Sequence, residues 1–232
     1  MSNLFSNYLE NDHFILTVNE SKDILSKYGF PVNKSVFISN KDQIQTACEN
    51  LTFPLVIKIV SPQITHKTDV GGVLLNLTNT QDVISGFISM TTSLKEKFPN
   101  YDIQGVLLEE QIPDGIELIA GVVNDPTFGQ CLMFGLGGIF VELLKDVSFR
   151  LIPATKLEIE SMINEIKFAK ILNGLRGKKV NKKELIATLL KLSNFIEENS
   201  KFISETDLNP IIITDERVVV VDARIILRNN KS

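Results

Sequence analysis

The sequence predicts a mixed α/β chain folded as two lobes. At 232 residues it has room for one large domain or two smaller lobes, each with its own core. Behind Pro54, the run Leu55-Val56-Ile57-Lys58-Ile59-Val60 is apolar and β-branched, the pattern of a strand buried on both faces. Between about 116 and 152, three strand-like segments follow one another with no helix between them, which favours antiparallel pairing.

Taken in order, residues 1–14 mix polar and aromatic types without periodicity and read as an N-terminal arm or fraying end. Thr17 and Glu20 make a capping box, Ile24, Leu25 and Tyr28 an apolar stripe, and Gly29 a stop, so a helix is predicted here. A strand over Ser35 to Ile38 follows Pro31, and Asn40 caps a second helix reaching Cys48. After the buried run come a polar loop, a strand over Val73 to Leu77, a helix over Thr80 to Phe98 and a strand over Gln104 to Glu109. The three consecutive strands are Ile116 to Val123, Gln130 to Phe134 and Ser148 to Ile152; helices are expected at about 155–168 and 181–199. Ile211-Ile212-Ile213, a Thr214-Asp215-Glu216-Arg217 turn and Val218 to Ala223 close the chain as a β-hairpin. The smaller lobe is expected over 15–108 and the larger over 109–228, parting where Glu109-Glu110-Gln111-Ile112-Pro113 ends a strand at a proline.

Composition removes several classes of function. Apolar residues make up 44% and charged residues 22% of the chain, an ordinary folded balance. The net charge of -4 repels a polyphosphate backbone, so nucleic acid is not an expected partner. One basic cluster, from Lys167 through Arg176 to Lys191, reads as a solvated helix face or as a local anion site near Arg176. Cys48 and Cys131, far apart in apolar patterns, read as reduced thiols and favour the cytoplasm. The N-terminus has neither the basic start nor the apolar run of a signal peptide. No stretch approaches the ~20 apolar residues that would span a bilayer, so no membrane association is expected.

Four features carry chemistry. Lys58 interrupts an apolar strand, where an ammonium loses its hydration unless an anion or a hydrogen-bonding cluster replaces it. It reads as a phosphate ligand facing a cleft, or as a lysine that snorkels from a sheet edge. The following loop, from Ser61 to Gly72, holds His66, Lys67, Thr68, Gly71 and Gly72. Paired glycines can bring backbone N–H groups to oxyanions, Lys67 and Thr68 can supply a charge and a hydroxyl, and a neutral imidazole can accept a phosphoryl group. A plain hairpin turn would also use those glycines. A second glycine cluster, Gly135-Leu-Gly-Gly138, precedes Glu142, Lys145, Asp146 and Arg150; it ends in no Gly-Lys-Ser/Thr and fits a tight strand crossing equally well. Finally, alternation puts Glu205, Asp207 and Asn209 on one face, and hairpin pairing can bring Asp222 beside Asn209. This is a set of hard oxygen ligands suited to magnesium with a nucleotide phosphate, or a pair of turn-capping residues.

The ordered set Val-Ile-Lys58-Ile-Val-Ser-Pro, His66-Lys-Thr-Asp-Val-Gly-Gly, Gly105-Val-Leu-Leu-Glu109-Glu, Glu117-Leu-Ile-Ala-Gly, Gly135-Leu-Gly-Gly-Ile-Phe-Val-Glu142, Phe149-Arg150-Leu, Asp207-Leu-Asn209-Pro and Val-Asp222-Ala-Arg224 resembles the ATP-grasp module of ADP-forming acetyl-CoA synthetases. Succinyl-CoA synthetase beta subunits look like more distant relatives. The likeness covers about residues 15–227 and includes Gly174-Leu-Arg176-Gly177.

The resemblance implies an ATP-grasp fold, two lobes with the nucleotide bound between them. It implies Lys58 on the nucleotide phosphates, Glu109 and Glu117 on the adenosine side, Glu110 among the nucleotide-binding residues, and Asn209, Asp222 and Asp207 on Mg2+. His66 matches a histidine thought to relay phosphate between ATP or ADP and a partner subunit, and Arg150 and Glu142 match positions near the transferred phosphate. The coenzyme A domain that the family places on an alpha subunit or a fused half has no counterpart here. The expected protein is therefore the nucleotide-binding subunit of an acid–thiol ligase, active with a CoA-binding alpha subunit in an alpha2beta2 assembly. A nucleotide-sensing, non-catalytic module of an acyltransferase system is the alternative; retention of His66, Lys58 and the metal ligands favours the enzyme.

Overall fold

The structure is a computed structural model and describes residues 4–64, 66–113, 115–138, 146–172 and 180–229. Among them, the helices in chain order are α1 (Ser6–Glu10), α2 (Val18–Lys27), α3 (Ile44–Glu49), α4 (Thr80–Lys97), α5 (Lys156–Glu165), α6 (Ala169–Leu172) and α7 (Lys182–Asn199). The strands are β1 (Ser35–Ile38), β2 (Leu55–Val60), β3 (Val73–Leu77), β4 (Gly105–Glu110), β5 (Ile116–Asp125), β6 (Gly129–Leu136), β7 (Val147–Leu151), β8 (Ile203–Ile213), β9 (Val218–Val220) and β10 (Ala223–Leu227). None of the described helices is long and apolar enough to cross a membrane.

The chain forms two compact units, Asn33–Pro113 and the combination of Met1–Val32 with Asp114–Ser232. This differs from the expected division at 15–108 and 109–228, because the first 32 residues pack with the C-terminal strands. Leu16 N–H bonds Ile225 O at 3.0 Å, Val220 N–H bonds Pro31 O at 2.7 Å, and Ile15 bridges Ile226. Nor is the N-terminal segment a loose arm: Phe5 is buried in the larger unit's core and lies 5.9 Å from the Phe202 ring.

The unit Asn33–Pro113 is a four-stranded antiparallel sheet in the order β1-β4-β2-β3. Ile38, Leu55, Ile57, Ile59, Val106 and Leu108 point from one face into a core with Ile44, Ala47, Val83, Phe87, Met90 and Leu94 of α3 and α4. Alternation therefore turns Val56, Lys58, Val60, Leu107 and Glu109 to the opposite face. The α4 helix starts where Asn79 Oδ1 accepts Asp82 N–H at 2.9 Å.

The larger unit carries a six-stranded sheet, ordered β10-β8-β5-β6-β7 with β9 also paired to β8, antiparallel throughout. Leu118, Ala120, Val122, Leu132, Phe134, Leu208, Ile211 and Ala223 face the helices, leaving Glu117, Gly121, Met133, Asp207 and Arg224 on the other face. The expected closing hairpin is present. Its second arm is broken at Val221–Asp222 into β9 and β10, opposite Asn209 and Pro210 of β8.

Candidate functional site

All six residues of β2 are buried, and the strand is paired on both sides. Lys58 cannot be snorkelling from a sheet edge, because it is not on one. Its register partner on β4 is Leu107, and Glu109 lies two residues along on the same face. That diagonal brings Lys58 Nζ to 2.7 Å from Glu109 Oε2, at 7% and 0% side-chain exposure. At this depth each ion replaces hydration that the other has lost. The neighbouring Glu110 does something different: its Oε1 accepts the Thr52 N–H at 2.9 Å, which ties the end of β4 to the segment entering β2.

The loop from Ser61 to Gly72 leaves His66 exposed and both its flanks anchored. Ile64 is buried in the α3–α4 core. On the return side Gly72 N–H bonds Lys67 O at 2.7 Å, Gly71 N–H bonds Thr68 O at 3.1 Å, and Gly72 O accepts Ile59 N–H at 2.8 Å. Gly71 has a φ of 79°, and a Cβ on Gly72 would meet Ile59 Cγ2 at 2.6 Å. Both glycines are thus required by the turn, and both N–H groups expected to cradle an oxyanion bond within the loop instead. Lys67 and Thr68, half-buried and exposed, remain beside His66.

In the larger unit, Asn209 N–H bonds Asp222 O at 3.1 Å, so the two residues are neighbours where β8 passes from β9 to β10. The Asn209–Pro210 peptide is cis. Asn209 is exposed; Asp207 and Asp222 are half-buried. Register sets Asp207 between Gly121 on β5 and Arg224 on β10. A Cβ on Gly121 would meet Thr206 O at 2.8 Å and lie 3.7 Å from Asp207 Oδ1, so the glycine keeps the sheet face open at the carboxylate. Among the described residues no group of three His, Cys, Asp or Glu side chains is gathered into a metal cage. Two carboxylates and one carboxamide are nonetheless a hard-oxygen set that fits magnesium, an ion that usually keeps waters and phosphate oxygens among its ligands.

Glu117 is exposed, and its backbone oxygen accepts Gly137 N–H at 2.8 Å. A Cβ on Gly138, whose φ is 65°, would lie 2.9 Å from Glu117 Oε2, and one on Gly135 would strike Asp146 O at 2.7 Å. The second glycine cluster is therefore a close crossing of backbones that also leaves room for the Glu117 carboxylate. Arg150 stands apart. It lies opposite Leu132, which faces the helices, and its guanidinium donates to Glu165 at 2.6 Å and Ser161 at 3.2 Å on α5. It does not share a sheet face with Glu117, Asp207 and Asn209. Glu142 lies outside the described residues, as does the element 174–177.

A family model described as an ATP-grasp domain matches residues 7–227. The beta subunit of acetate–CoA ligase (ADP-forming) I from Pyrococcus furiosus is 42% identical over 209 residues, 90% of this chain and 90% of that one. The chain belongs to the ATP-grasp family, in the branch of ADP-forming acetate–CoA ligase beta subunits. Solved structures agree with this ATP-grasp assignment. Acetyl-coenzyme A synthetase 1 of Ca. Korarchaeum cryptofilum, in complex with coenzyme A, Ca-AMPCP and HgCl+, superposes with a TM-score of 0.93 at 41% identity, covering 97% of this chain and 99% of that one. A second structure of that enzyme, with Mg-AMPPCP and a phosphohistidine segment pointing towards the nucleotide binding site, gives 0.84 at 40% identity with the same coverage.

Two residues of this ATP-grasp chain were given no role by the sequence reading. Arg224, quoted there only within the motif set, stands opposite Asp207 in the register of β10 against β8. Gln63 could not have been given one, being one polar residue in a polar loop whose partner Asp102 is remote in sequence.

Proposed function

We propose that this chain is the nucleotide-binding subunit of an ADP-forming acyl-CoA synthetase and carries the phosphoryl-transfer half of its reaction. The observation that carries the reading is the ion pair of Lys58 and Glu109, buried in the interior of a sheet within a chain that matches a separate beta subunit over 90% of both lengths. Lys58 takes the nucleotide phosphates, with Glu109 holding its ammonium in place. Glu117 contributes to the adenosine side, and Asn209, Asp222 and Asp207 would hold magnesium, which neutralises phosphate charge when bound. His66 relays the phosphoryl group. In the ATP-consuming direction a lone pair on its imidazole forms the N–P bond as the bond from the γ-phosphorus to the bridging oxygen breaks, and ADP leaves with that electron pair. The group then passes to a CoA-binding alpha subunit in an alpha2beta2 assembly, where acid, coenzyme A and phosphate chemistry is completed.

The test is reconstitution with γ-labelled ATP. The chain alone should bind Mg-ATP without forming acyl-CoA; adding the alpha subunit should give ADP and label on the partner's histidine, and adding acid and coenzyme A as well should give acyl-CoA and release the label as phosphate. Replacement of His66 by Ala should keep nucleotide affinity within a few fold and abolish that label. Labelling at the parent's rate by His66→Ala would overturn the relay.

A further inference from the structure

On the outgoing arm of the His66 loop, next to the buried Ile64, one side chain bridges to a distant segment. Gln63 Oε1 accepts two hydrogen bonds, from Ser61 Oγ at 3.1 Å and from the backbone N–H of Asp102 at 3.1 Å. The Gln63 N–H in turn donates to Ser61 Oγ at 3.3 Å. Asp102 lies in the connection between α4 and β4 and is itself fixed. Gln104 Nε2 donates to Asp102 Oδ2 at 3.0 Å, and Gln104 N–H donates to Val60 O at 3.0 Å. A single amide oxygen therefore joins the loop that presents His66 to the lead-in of β4, the strand that carries Glu109.

We propose that Gln63 is a positioning residue for His66, setting where the imidazole stands for phosphoryl transfer. The assignment rests on the relay reading of His66 given above. The far arm of the loop is fixed by the Lys67–Gly72 turn, and the near arm by Ile64 together with the Gln63 bridge. Gln63 and its bond from the Asp102 N–H are exposed, where a hydrogen bond exchanges readily with water and adds little to global stability, while the buried Ser61 Oγ still accepts the Gln63 backbone N–H. What the bridge controls is placement. In-line transfer depends on the distance and direction between imidazole nitrogen and phosphorus, and a displacement on the order of 1 Å at the reacting centre can cost about 100-fold in rate. The acceptor atom is what matters, because both partners donate to it.

The experiment uses the reconstituted complex with Gln63→Ala, Gln63→Leu, Gln63→Glu and His66→Ala. Single-turnover transfer of label from ATP and calorimetric affinity for Mg-ATP are read for each. Gln63→Ala and Gln63→Leu are expected to transfer about 10- to 100-fold more slowly, with nucleotide affinity and melting temperature near the parent's. Gln63→Glu keeps an oxygen that can accept from Ser61 and Asp102, and it should return the rate to within a few fold. Transfer at the parent's rate by Gln63→Ala would overturn the proposal. So would a Gln63→Glu variant as slow as Gln63→Ala, or slow transfer accompanied by an equal loss of Mg-ATP affinity or of folding. Normal transfer by His66→Ala overturns the relay reading instead, and the two failures are told apart by which variant shows them.

Discussion

Removing Lys58 alone should destabilise the smaller unit more than removing Lys58 and Glu109 together. At 2.7 Å and an effective dielectric of ~20, the gross attraction between the two charges is about 6 kcal/mol. Much of it offsets the hydration both groups lose on burial. Lys58→Met deletes the cation and leaves a carboxylate with no side-chain exposure, and breaking a buried pair in this way costs about 3–5 kcal/mol. Adding Glu109→Leu removes the stranded charge, and an apolar pair of similar volume is often close to neutral, so most of the loss should return. Because a chain of two units is not safely two-state, the assay is native-state hydrogen exchange of β2 and β4 amides under increasing urea. If the double variant is no more stable than Lys58→Met, the two charges are not coupled as the geometry requires. The same pair of proteins separates fold from function. The double variant should fold and yet bind Mg-ATP far more weakly, and parental affinity would remove Lys58 from the phosphates.

Asn209→Ala and Asp222→Ala should each weaken Mg-ATP binding by about tenfold or more, roughly 1.4 kcal/mol, with melting temperatures near the parent's; unchanged calorimetric affinity in both would take them out of the metal site. Thr206 is 3% exposed and its Oγ1 has no hydrogen-bond partner among the described residues. Thr206→Val should therefore stabilise by about 1 kcal/mol and raise the melting temperature by roughly 2–4 °C, and a lower melting temperature would contradict an unsatisfied hydroxyl. The side-chain and backbone hydrogen bonds from Thr155 hold the Glu158 carboxyl below the ordinary 4.5 of a glutamate. A depressed carboxyl stabilises the fold above its unfolded value, and that contribution disappears as pH falls through the folded one. The stability difference between parent and Glu158→Gln, followed by urea titration, should accordingly shrink below pH 4.5; a difference that grows on acidification would reverse the sign.

What could be read from the sequence was local in its cause. The strands Ser35–Ile38 and Val73–Leu77 fall where alternation and breakers put them, and Thr17 with Glu20 begins α2 as its capping box requires, the Thr17 N–H bonding Glu20 Oε2 at 2.8 Å. Other features depend on chain that arrives much later. Nothing near Phe5 shows that Phe202 will receive it, and nothing near Leu16 shows that Ile225 will accept its N–H. The division into units followed from those distant bonds, and a boundary placed by a proline and a strand end had no access to them.

The candidate site divides along the same line. Asn209 and Asp222 were predictable neighbours because a short hairpin fixes their register. Lys58 was predictable as buried, although its ion partner depends on β4 lying directly beside β2. Gly71 and Gly72 were identified as special, but the sequence left open whether the backbone they shape donates outward to a ligand or inward to itself. Arg150 shows where motif reading stops. Its place after Phe149 puts one of the two residues toward the helices and the other away, and only the register of β7 against β6 decides which. Leu132 opposite Arg150, and Phe134 opposite a Ser148 whose hydroxyl donates to Met162 O at 2.9 Å, decide it for the helix side. A shift of β7 by one residue would instead turn the guanidinium to the face of Asp207. The bonds to Glu165 and Ser161 therefore follow from pairing, and a role for Arg150 at the transferred phosphate would require that those bonds be released.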